Sequence, residues 1–320
     1  MNNVEQEKRA NHSEDTVMLS ILCIAYNQEK YIADALNGFL MQKTNFKFEV
    51  IVHDDASTDH TAAIIQKYEE QYPDVITAIC QKENQYSKGV RITNEILLPK
   101  ARGKYIAVCE GDDYWTEPLK LQKQVDILEQ NPSYAASAHN TISKYMESGT
   151  ERIQYSTQNG LLGLEEVVMR GLQSFHDVSL VYRKEISLNY PHFVNAIKGV
   201  GDYPKAIYYA LNGGIYYFGN VMAVHRCEVQ GSWGYRMAHE KNKKSARDVD
   251  MQTVKMLQMA DEYSEYRYTD LFKKSIDYNK FEGIMHNGKL SEIFDNGYFK
   301  SMTILEKGKT IVKILLSCFR

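Results

Sequence analysis

The chain has 320 residues, enough to bury a sizeable core, and its hydrophobic fraction of 43% and charged fraction of 25% are ordinary for a globular protein. Its formal net charge of -3 gives no reason to expect a nucleic-acid partner. No apolar run approaches the roughly 18 residues that a membrane-spanning helix needs, and the polar residues 1–16 predict a flexible tail rather than a signal peptide. Five cysteines without a CxxC pair are typical of a reducing compartment, so we expect a cytoplasmic protein.

Apolar runs of strand length alternate with amphipathic helices in the first 130 residues. The predicted strands cover residues 17–24, 48–52, 75–80 and 105–109. Apolar residues recur at helical spacing in the stretches that begin near residues 32, 59, 92 and 118. Because strands and helices that alternate form right-handed crossovers, this pattern predicts an α/β fold with a single, mostly parallel, Rossmann-like sheet that is flanked by helices.

The rest of the chain is less regular. Further strands are predicted at residues 178–182, 215–218 and 221–224. The glycine-rich residues 198–204 open a predicted helix, and the polar, basic residues 241–244 mark a boundary beyond which helical spacing returns. We therefore predict one domain over residues 17–236 and a helical C-terminal extension over residues 237–320.

Two acidic clusters follow predicted strands. Asp54 and Asp55 close the second strand, and Glu110, Asp112 and Asp113 close the fourth. Because ligands of such a sheet bind beyond the carboxyl ends of its strands, both clusters are expected at one edge. Bunched carboxylates repel one another, and Mg²⁺ or Mn²⁺ removes that repulsion while it carries substrate phosphates as further ligands. The alternative is a solvated turn in which Asp112 or Asp113 caps the next helix.

A metal is the remaining way to hold a nucleotide diphosphate here. The sequence has no GxGxxG and no GxxxxGK[ST] motif, which disfavours dinucleotide oxidoreductases and P-loop enzymes. Asp112 and Asp113 would then bind the cation, and Asp55 could accept hydrogen bonds from a base or ribose. Tyr26 could stack on the base, with simple packing as its alternative.

Three motifs resemble the glycosyltransferase family 2 domain in their order and spacing. They read AYNQEKYI at residues 25–32, VHDDASTDHT at residues 52–61 and ARGKYIAVCEGDD at residues 101–113. The resemblance is strong over residues 17–130 and continues more weakly to about residue 235. It implies the GT-A fold and inverting transfer of a sugar from a nucleotide-diphosphate donor, with a UDP-sugar favoured and Mg²⁺ or Mn²⁺ as cofactor. The implied acceptor is a glycan or a lipid-linked glycan, in bacterial surface polysaccharide synthesis.

The resemblance also implies roles for the residues of these motifs. Tyr26 and Asp55 would contact the nucleobase, with Asp54 supporting that pocket. Asp112 and Asp113 would contact the ribose and the metal.

Other positions match the family less closely. Glu110 stands at the first aspartate of the family's DxD signature, so it ranks below its neighbours, and Lys88 would approach the diphosphate. Arg226 matches an Arg-x-His pair, but Glu228 occupies the histidine position. Glu228 could ligate a hard cation instead, or this contact has been lost. His225 is more typical of a half-buried histidine with a satisfied partner than of a substitute ligand.

Asp202 is the predicted catalytic base. An inverting transfer needs a carboxylate that takes the proton of the acceptor hydroxyl, and Gly201-Asp202 ahead of a helix resembles the place where the family carries it. The alternative role for Asp202 is the N-cap of that helix. Trp115 and Trp233 are candidates for acceptor-side platforms, with packing beneath the strand end as the alternative for Trp115.

The last residues carry lysines with no acid after Glu306, and Ile311, Leu315 and Phe319 share one helical face. Residues 303–320 could therefore lie on an anionic membrane surface, or form a closing helix that docks on the domain. Two rival functions fit the same motifs, namely a sugar nucleotidyltransferase and a non-catalytic binder of nucleotide sugars. The sequence does not predict the oligomeric state.

Overall fold

A computed structural model describes residues 16–170, 174–197, 201–230, 232, 235, 243–287 and 290–317. Ten strands in this part of the chain form one sheet. They are β1 (Val17–Ala25), β2 (Lys47–Asp54), β3 (Ile76–Cys80), β4 (Tyr105–Val108), β5 (Tyr114–Trp115), β6 (Ala136–Tyr145), β7 (Glu151–Ile153), β8 (Gly160–Leu162), β9 (Val181–Arg183) and β10 (Ile215–Cys227).

The helices fall between the strands and in the C-terminal part of the chain. They are α1 (Ile32–Leu40), α2 (Thr61–Gln71), α3 (Lys120–Gln130), α4 (Leu164–Arg170), α5 (Lys184–Ser187), α6 (Asp202–Leu211), α7 (Lys243–Tyr263), α8 (Thr269–Asn287), α9 (Leu290–Asp295), α10 (Gly297–Ser301) and α11 (Ile304–Ser317). Short 3₁₀ turns cover Tyr86–Lys88, Asp177–Ser179 and His192–Asn195, and Ile92–Leu97 is a π-helix. No helix in the described ranges is long and apolar enough to cross a bilayer.

The sheet is parallel at one end and mixed at the other. Its order is β3-β2-β1-β4-β9-β6-β10-β5, with β7 beside β6 and β8 beside β10. β3, β2, β1 and β4 are parallel, as the alternation of strands and helices predicted. β9 is antiparallel to both of its neighbours, and β5 is antiparallel to β10. The predicted α/β fold with helices at its C-terminal end is confirmed.

The core of this sheet explains why the first strands could be predicted from the sequence. Leu19, Ile21 and Cys23 on β1 are fully buried against Ile32 and Phe39 of α1 and belong to one apolar cluster. The cluster continues through β2 and α3. Burial of such side chains contributes about 1.5–3 kcal/mol each, so apolar periodicity and burial coincide here.

Trp115 is part of this core and does not floor an acceptor pocket. Its side chain is 2% exposed, and its indole N–H donates to the carbonyl oxygen of Val178 at 3.0 Å. The ring meets Phe39 edge-on at 4.9 Å, and Nζ of Lys120 lies 4.0 Å from its centroid. The acceptor-site hypothesis for Trp115 is therefore wrong. Trp233 lies outside the described residues.

The chain divides into two compact units. The first contains the residues up to Leu162, Gln173–Asn189 and Asn212–Tyr235, and it holds the whole sheet. The second contains Gly163–Leu172, Tyr190–Leu211 and the residues from Arg236 onwards. Two segments of the predicted domain 17–236 thus group with the C-terminal helices. Residues 1–15 of the predicted tail lie outside the described residues.

Candidate functional site

Two acidic turns leave the sheet side by side at the carboxyl end of β1. The carbonyl oxygen of Ile24 accepts the N–H of Gly111 at 2.9 Å, and that of Ala25 accepts the N–H of Asp55 at 2.9 Å. β2 and β4 are the two neighbours of β1. Because neighbouring strands lie about 4.8 Å apart, the two turns are separated by roughly 10 Å. The structure thus brings both predicted acidic clusters to one edge of the sheet.

The turn after β4 buries its aspartates. Asp112 is 6% exposed and Asp113 is 2% exposed. The following helix, α3, begins at Lys120 and has Leu119 as its N-cap residue. The alternative of a solvated turn that caps this helix is therefore wrong, and the burial of two neighbouring carboxylates requires another explanation.

A glycine lies at the centre of this turn, close to neighbouring side chains. A Cβ atom on Gly111 would lie 2.5 Å from Oε1 of Gln28 and 2.9 Å from Cδ1 of Ile32. The turn therefore passes directly against the segment that follows β1. Glu110, on the other side of the glycine, is exposed to solvent.

Two histidines face Asp113. Nδ1 of His225 lies 3.1 Å from each carboxylate oxygen, and Nδ1 of His176 lies 3.8 Å from Oδ2. The two imidazole rings stack with centroids 3.7 Å apart. The N–H of Arg226 donates to Oδ1 at 2.8 Å. Sequence analysis did not assign a metal-ligand role to either histidine.

The charges around Asp113 explain the direction of each pKa. Burial alone would raise the pKa of Asp113, but the charge and hydrogen bond of His225, with His176 and the N–H of Arg226, hold it below its ordinary value. Burial would lower the pKa of His225, and Asp113 instead raises it well above the ordinary value. Burial and then repulsion from Asp113 raise the pKa of Asp112.

Arg226 holds the acidic turn in place. Its guanidinium donates to the carbonyl oxygen of Asp112 at 2.7 Å and pairs with the carboxylate of Asp34 on α1. The guanidinium carbon lies 5.0 Å from the ring centroid of Tyr31 and 4.4 Å from that of Tyr114. Because its contacts reach α1, β5 and the turn together, Arg226 fixes the position of the aspartates.

The chain offers a donor set for a divalent cation. One carboxylate oxygen of Asp113 and one nitrogen each of His176 and His225 lie within 4.8 Å of one another. Glu228, the predicted ligand, is not in this group, and its carboxylate accepts the N–H of Glu147 at 3.2 Å. The residue types and spacing of the first three fit a divalent metal.

The turn after β2 binds the loop that follows β3. Asp55 is 1% exposed, and its two carboxylate oxygens accept the N–H groups of Gln85 at 2.7 Å and Tyr86 at 3.1 Å. Asp54 is also buried, and its Oδ2 accepts the N–H of Ser57 at 3.1 Å. In this conformation, Asp55 therefore positions the loop.

Aromatic and cationic side chains surround this loop. Tyr26, at the end of β1, is 46% exposed, and Tyr86 is 53% exposed. Lys88, the predicted diphosphate contact, forms an ion pair with Glu83. The exposed ring of Tyr86 is a stacking surface that sequence analysis did not single out, since only its hydrogen bond to Asp55 places it at this edge.

Asp202 lies in the second unit, at the beginning of α6. The carbonyl oxygen of Gly201 accepts the N–H of Lys205 at 3.3 Å, which makes Gly201 the N-cap residue. Among the described residues, no backbone N–H donates to the Asp202 carboxylate. The alternative in which Asp202 caps α6 is therefore wrong, and its carboxylate is not occupied by the helix terminus.

A separate cavity lies at the other edge of the sheet. It has a volume of about 1010 Å³ and is lined by residues that include Val17, Lys47, Arg102 and Lys184. None of the acidic residues named above lines it. The cavity is therefore distinct from the acidic edge.

Comparison with known proteins identifies the family. Residues 20–186, which are 167 of the 320 residues, match the family model described as glycosyl transferase family 2. An uncharacterized protein of Mycobacterium tuberculosis is 38% identical over 216 residues, which cover 67% of this chain and 60% of that protein. The chain therefore spans about 60% of the length of this relative.

Two further proteins extend the comparison. WfaP of Escherichia coli, a UDP-Glc:alpha-D-GlcNAc-diphosphoundecaprenol beta-1,3-glucosyltransferase, is 33% identical over 127 residues, or 40% of this chain and 47% of that protein. The crystal structure of Staphylococcus aureus TarS 1-349 in complex with UDP has a TM-score of 0.58 at 17% identity, covering 92% of this chain and 78% of that one. This likeness confirms the predicted GT-A fold. With more than half of its length matched by the family model, the chain belongs to glycosyl transferase family 2.

Proposed function

We propose that this protein transfers a sugar, with inversion, from a nucleotide-diphosphate donor to a glycan or lipid-linked acceptor in surface polysaccharide synthesis. The observation that carries the proposal is the buried Asp112–Asp113 turn, which lies beside Asp55 at the carboxyl edge of β1. A UDP-sugar is the favoured donor, in line with the UDP-Glc named for WfaP and the UDP bound to TarS.

The nucleotide part of the donor would lie on the β2 side of this edge. We assign contacts with the nucleobase to Tyr26 and Asp55, and Asp54 would support that pocket. Because Asp55 now accepts the N–H groups of Gln85 and Tyr86, a direct contact with the base requires that loop to move. Lys88 follows in the same loop and would approach the diphosphate once it leaves its ion pair.

The diphosphate and a divalent cation would lie on the β4 side. Asp113, His176 and His225 form the donor set that fits the cation, and Asp112 provides a further carboxylate for cation or ribose. When bound, the cation would neutralise the charge of the leaving nucleotide diphosphate. We assign the catalytic base to Asp202, whose carboxylate would take the proton of the acceptor hydroxyl as that oxygen attacks the anomeric carbon.

The proposal predicts slow, cation-dependent hydrolysis of one nucleotide sugar even without acceptor. A panel of UDP-, GDP- and dTDP-sugars would be incubated with the full chain and Mn²⁺ or Mg²⁺, and the released nucleotide and sugar would be separated chromatographically. We expect a nucleoside diphosphate and a free sugar from one donor, lost on addition of a chelator. Release of pyrophosphate would support a nucleotidyltransferase, and binding without turnover would support a non-catalytic binder. Either result contradicts the proposal.

We also place the protein in the cytoplasm, at the inner face of the membrane, through α11. Two apolar side chains in the first turn of this helix are exposed, Ile304 to 90% and Leu305 to 70%. Lys307 follows them and donates to the carbonyl oxygen of Lys300 at 2.9 Å. Exposed apolar side chains next to lysines are typical of a helix that lies on an anionic bilayer.

This placement predicts that substitution of the exposed Ile304 and Leu305 weakens vesicle binding. The double variant Ile304→Ser/Leu305→Ser should bind anionic phosphatidylglycerol vesicles at least about tenfold more weakly than the wild type, because two apolar side chains no longer enter the bilayer. Flotation measures the bound fraction, with Ile153→Ser, a comparably exposed residue on β7, as control. Equal recovery of the wild type and of a variant lacking residues 303–320 would end the membrane hypothesis.

A further inference from the structure

We infer that the cavity at the amino end of the parallel strands binds a phosphate ester that carries an apolar group. The cavity has a volume of about 1010 Å³, at the upper end of the range for small-molecule sites. All of its lining residues belong to the first unit, and none of them is a residue that we assign to the sugar donor or the cation. Its ligand is therefore additional to the substrates of the proposed transfer.

The cavity lies where the parallel strands begin. Val17 is the first residue of β1, Lys47 is the first residue of β2, and Lys104 immediately precedes β4. β9 is antiparallel to β4, so the residue after β9, Lys184, returns to this end, where its backbone N–H donates to the carbonyl oxygen of Lys104 at 2.9 Å. The nine residues of β1 place the acidic turns about 30 Å away.

Basic side chains outnumber acidic ones in the lining. The described lining residues include four basic side chains and one acidic side chain, namely Lys47, Arg102, Lys104, Lys184 and Glu185. Nζ of Lys104 forms an ion pair with Glu129 at 2.5 Å, which balances its charge. The inference therefore rests on Arg102 and Lys184. An excess of positive charge in a recess of the surface favours an anionic ligand.

A buried glutamate holds Arg102. Oε2 of Glu49 accepts Nε–H of Arg102 at 2.7 Å, and Oε1 accepts the backbone N–H of Arg102 at 2.7 Å and the hydroxyl of Ser20 at 2.6 Å. Glu49 is 6% exposed, whereas the side chain of Arg102 is 68% exposed. The two terminal guanidinium nitrogens donate to no other described residue. Arg102 is thus fixed at Nε and still offers donors that match the oxygens of a phosphate.

Lys184 adds a positive charge beside Arg102. Its Nζ donates to the carbonyl oxygen of Ala101, the residue before Arg102, at 2.5 Å. A carbonyl oxygen orients the ammonium group without neutralising it, and two of the three ammonium N–H groups remain for a ligand. Because Glu49 balances the charge of Arg102 alone, the two cations together keep one net positive charge for an oxyanion.

Apolar side chains line another part of the cavity. They are Val17, Met18, Phe46 and Leu188. Inorganic phosphate would leave these side chains in contact with water, whereas an apolar group on the phosphate would cover them, and this burial is favourable. A soluble ester and the headgroup region of a phospholipid both present a phosphate next to an apolar group. The chemistry that the cavity recognises is common to the two sources.

Calorimetry with defined phosphate probes tests this inference. The full chain would be titrated with phenyl phosphate, with dihexanoyl phosphatidylglycerol below its micellar concentration, and with inorganic phosphate. We expect at least one of the two esters to bind at least about tenfold more tightly than inorganic phosphate, because its apolar group covers the apolar lining. Binding of phenyl phosphate would identify a soluble ester, and binding of the lipid alone would identify a phospholipid. Equal affinity for the three probes, or no binding of any, would overturn the inference.

Variants locate the bound ester. Arg102→Gln and Lys184→Gln should each weaken its binding at least about tenfold, since each removes a charge-assisted hydrogen bond. Lys100→Gln removes the same charge from an exposed side chain that does not line the cavity, and it should bind like the wild type. Wild-type affinity in both cavity variants, or an equal loss in Lys100→Gln, would contradict the assignment.

A measurement on the wild type covers the case in which a cavity variant does not fold. Phenylglyoxal modifies accessible guanidinium groups, and mass spectrometry would follow its reaction with and without the ester. We expect the ester to slow modification of Arg102 and to leave that of Arg152, an exposed residue on β7, unchanged. Equal rates at Arg102 with and without the ester would overturn the inference. If Arg102 is protected but no nucleotide sugar is turned over, the proposed function fails while this site stands.

Discussion

Replacement of Asp202 by Asn is expected to lower kcat by about 10²–10⁴-fold while donor affinity stays unchanged. The reason is that an amide has the size of the carboxylate but cannot accept the proton of the acceptor hydroxyl, and a positioned base contributes a factor of this size. The structure leaves the Asp202 carboxylate available, because Gly201 rather than Asp202 caps α6. Turnover would be measured by release of nucleoside diphosphate with acceptor present, and the donor Kd by calorimetry.

The matched control for this prediction is Asp248→Asn, at an exposed aspartate on α7 in the same unit. That variant should retain wild-type kcat and a wild-type melting temperature. A full rate in Asp202→Asn would show that another group takes the proton. A parallel loss of donor affinity and of melting temperature would show instead that Asp202 has a structural role, and the assignment as base would be withdrawn.

Replacement of Asp113 by Asn is expected to abolish the effect of the cation on donor binding and to lower turnover by about 10²–10³-fold. The amide keeps an oxygen for the N–H of Arg226 but removes the charge that faces His225 and His176. The variant should therefore bind donor with the same Kd with and without Mn²⁺. Wild-type protein should bind donor more tightly when Mn²⁺ is present.

Stability must be measured alongside this second prediction. Removal of one partner from a buried ion pair costs about 3–5 kcal/mol, and Asp113 is 2% exposed. Urea unfolding of Asp113→Asn would give that cost, with the exposed Asp74→Asn as control. If Asp113→Asn remains folded at assay temperature and its donor affinity still responds to Mn²⁺, Asp113 is not part of the cation site.

The N-terminal half of the fold was predictable because β1, β2 and β4 are largely apolar runs in which most residues are buried. β1 to β4 were located within two residues at both ends of each strand, and the acidic clusters at the ends of β2 and β4 followed from their position. β6 was not predicted. All but its last residues are buried, yet its sequence from Ala136 is rich in small and polar side chains, so neither apolar periodicity nor β-propensity marks it.

The position of His225 in the site could not be predicted for a related reason. Residues 215–218 and 221–224 were predicted as two strands but form the single strand β10, whose register against β6 shifts at Val221. β10 also pairs with β5, where Val224 lies opposite Tyr114, and this pairing brings His225 to Asp113. Long-range strand pairing of this kind leaves no local pattern in the sequence.

The sequence by itself determined that carboxylates follow the second and fourth strands, because polarity and strand length are local properties that a single segment displays. Only the tertiary structure decided which groups oppose those carboxylates. His225 lies 112 residues from Asp113 along the chain, and a contact at that separation depends on how β10, β5 and the acidic turn pack. For the same reason, only the tertiary structure shows that Trp115 belongs to the core and that the Asp55 carboxylate holds the loop after β3. Local chemistry was therefore readable from the sequence, whereas the partners of each charged group were set by the fold.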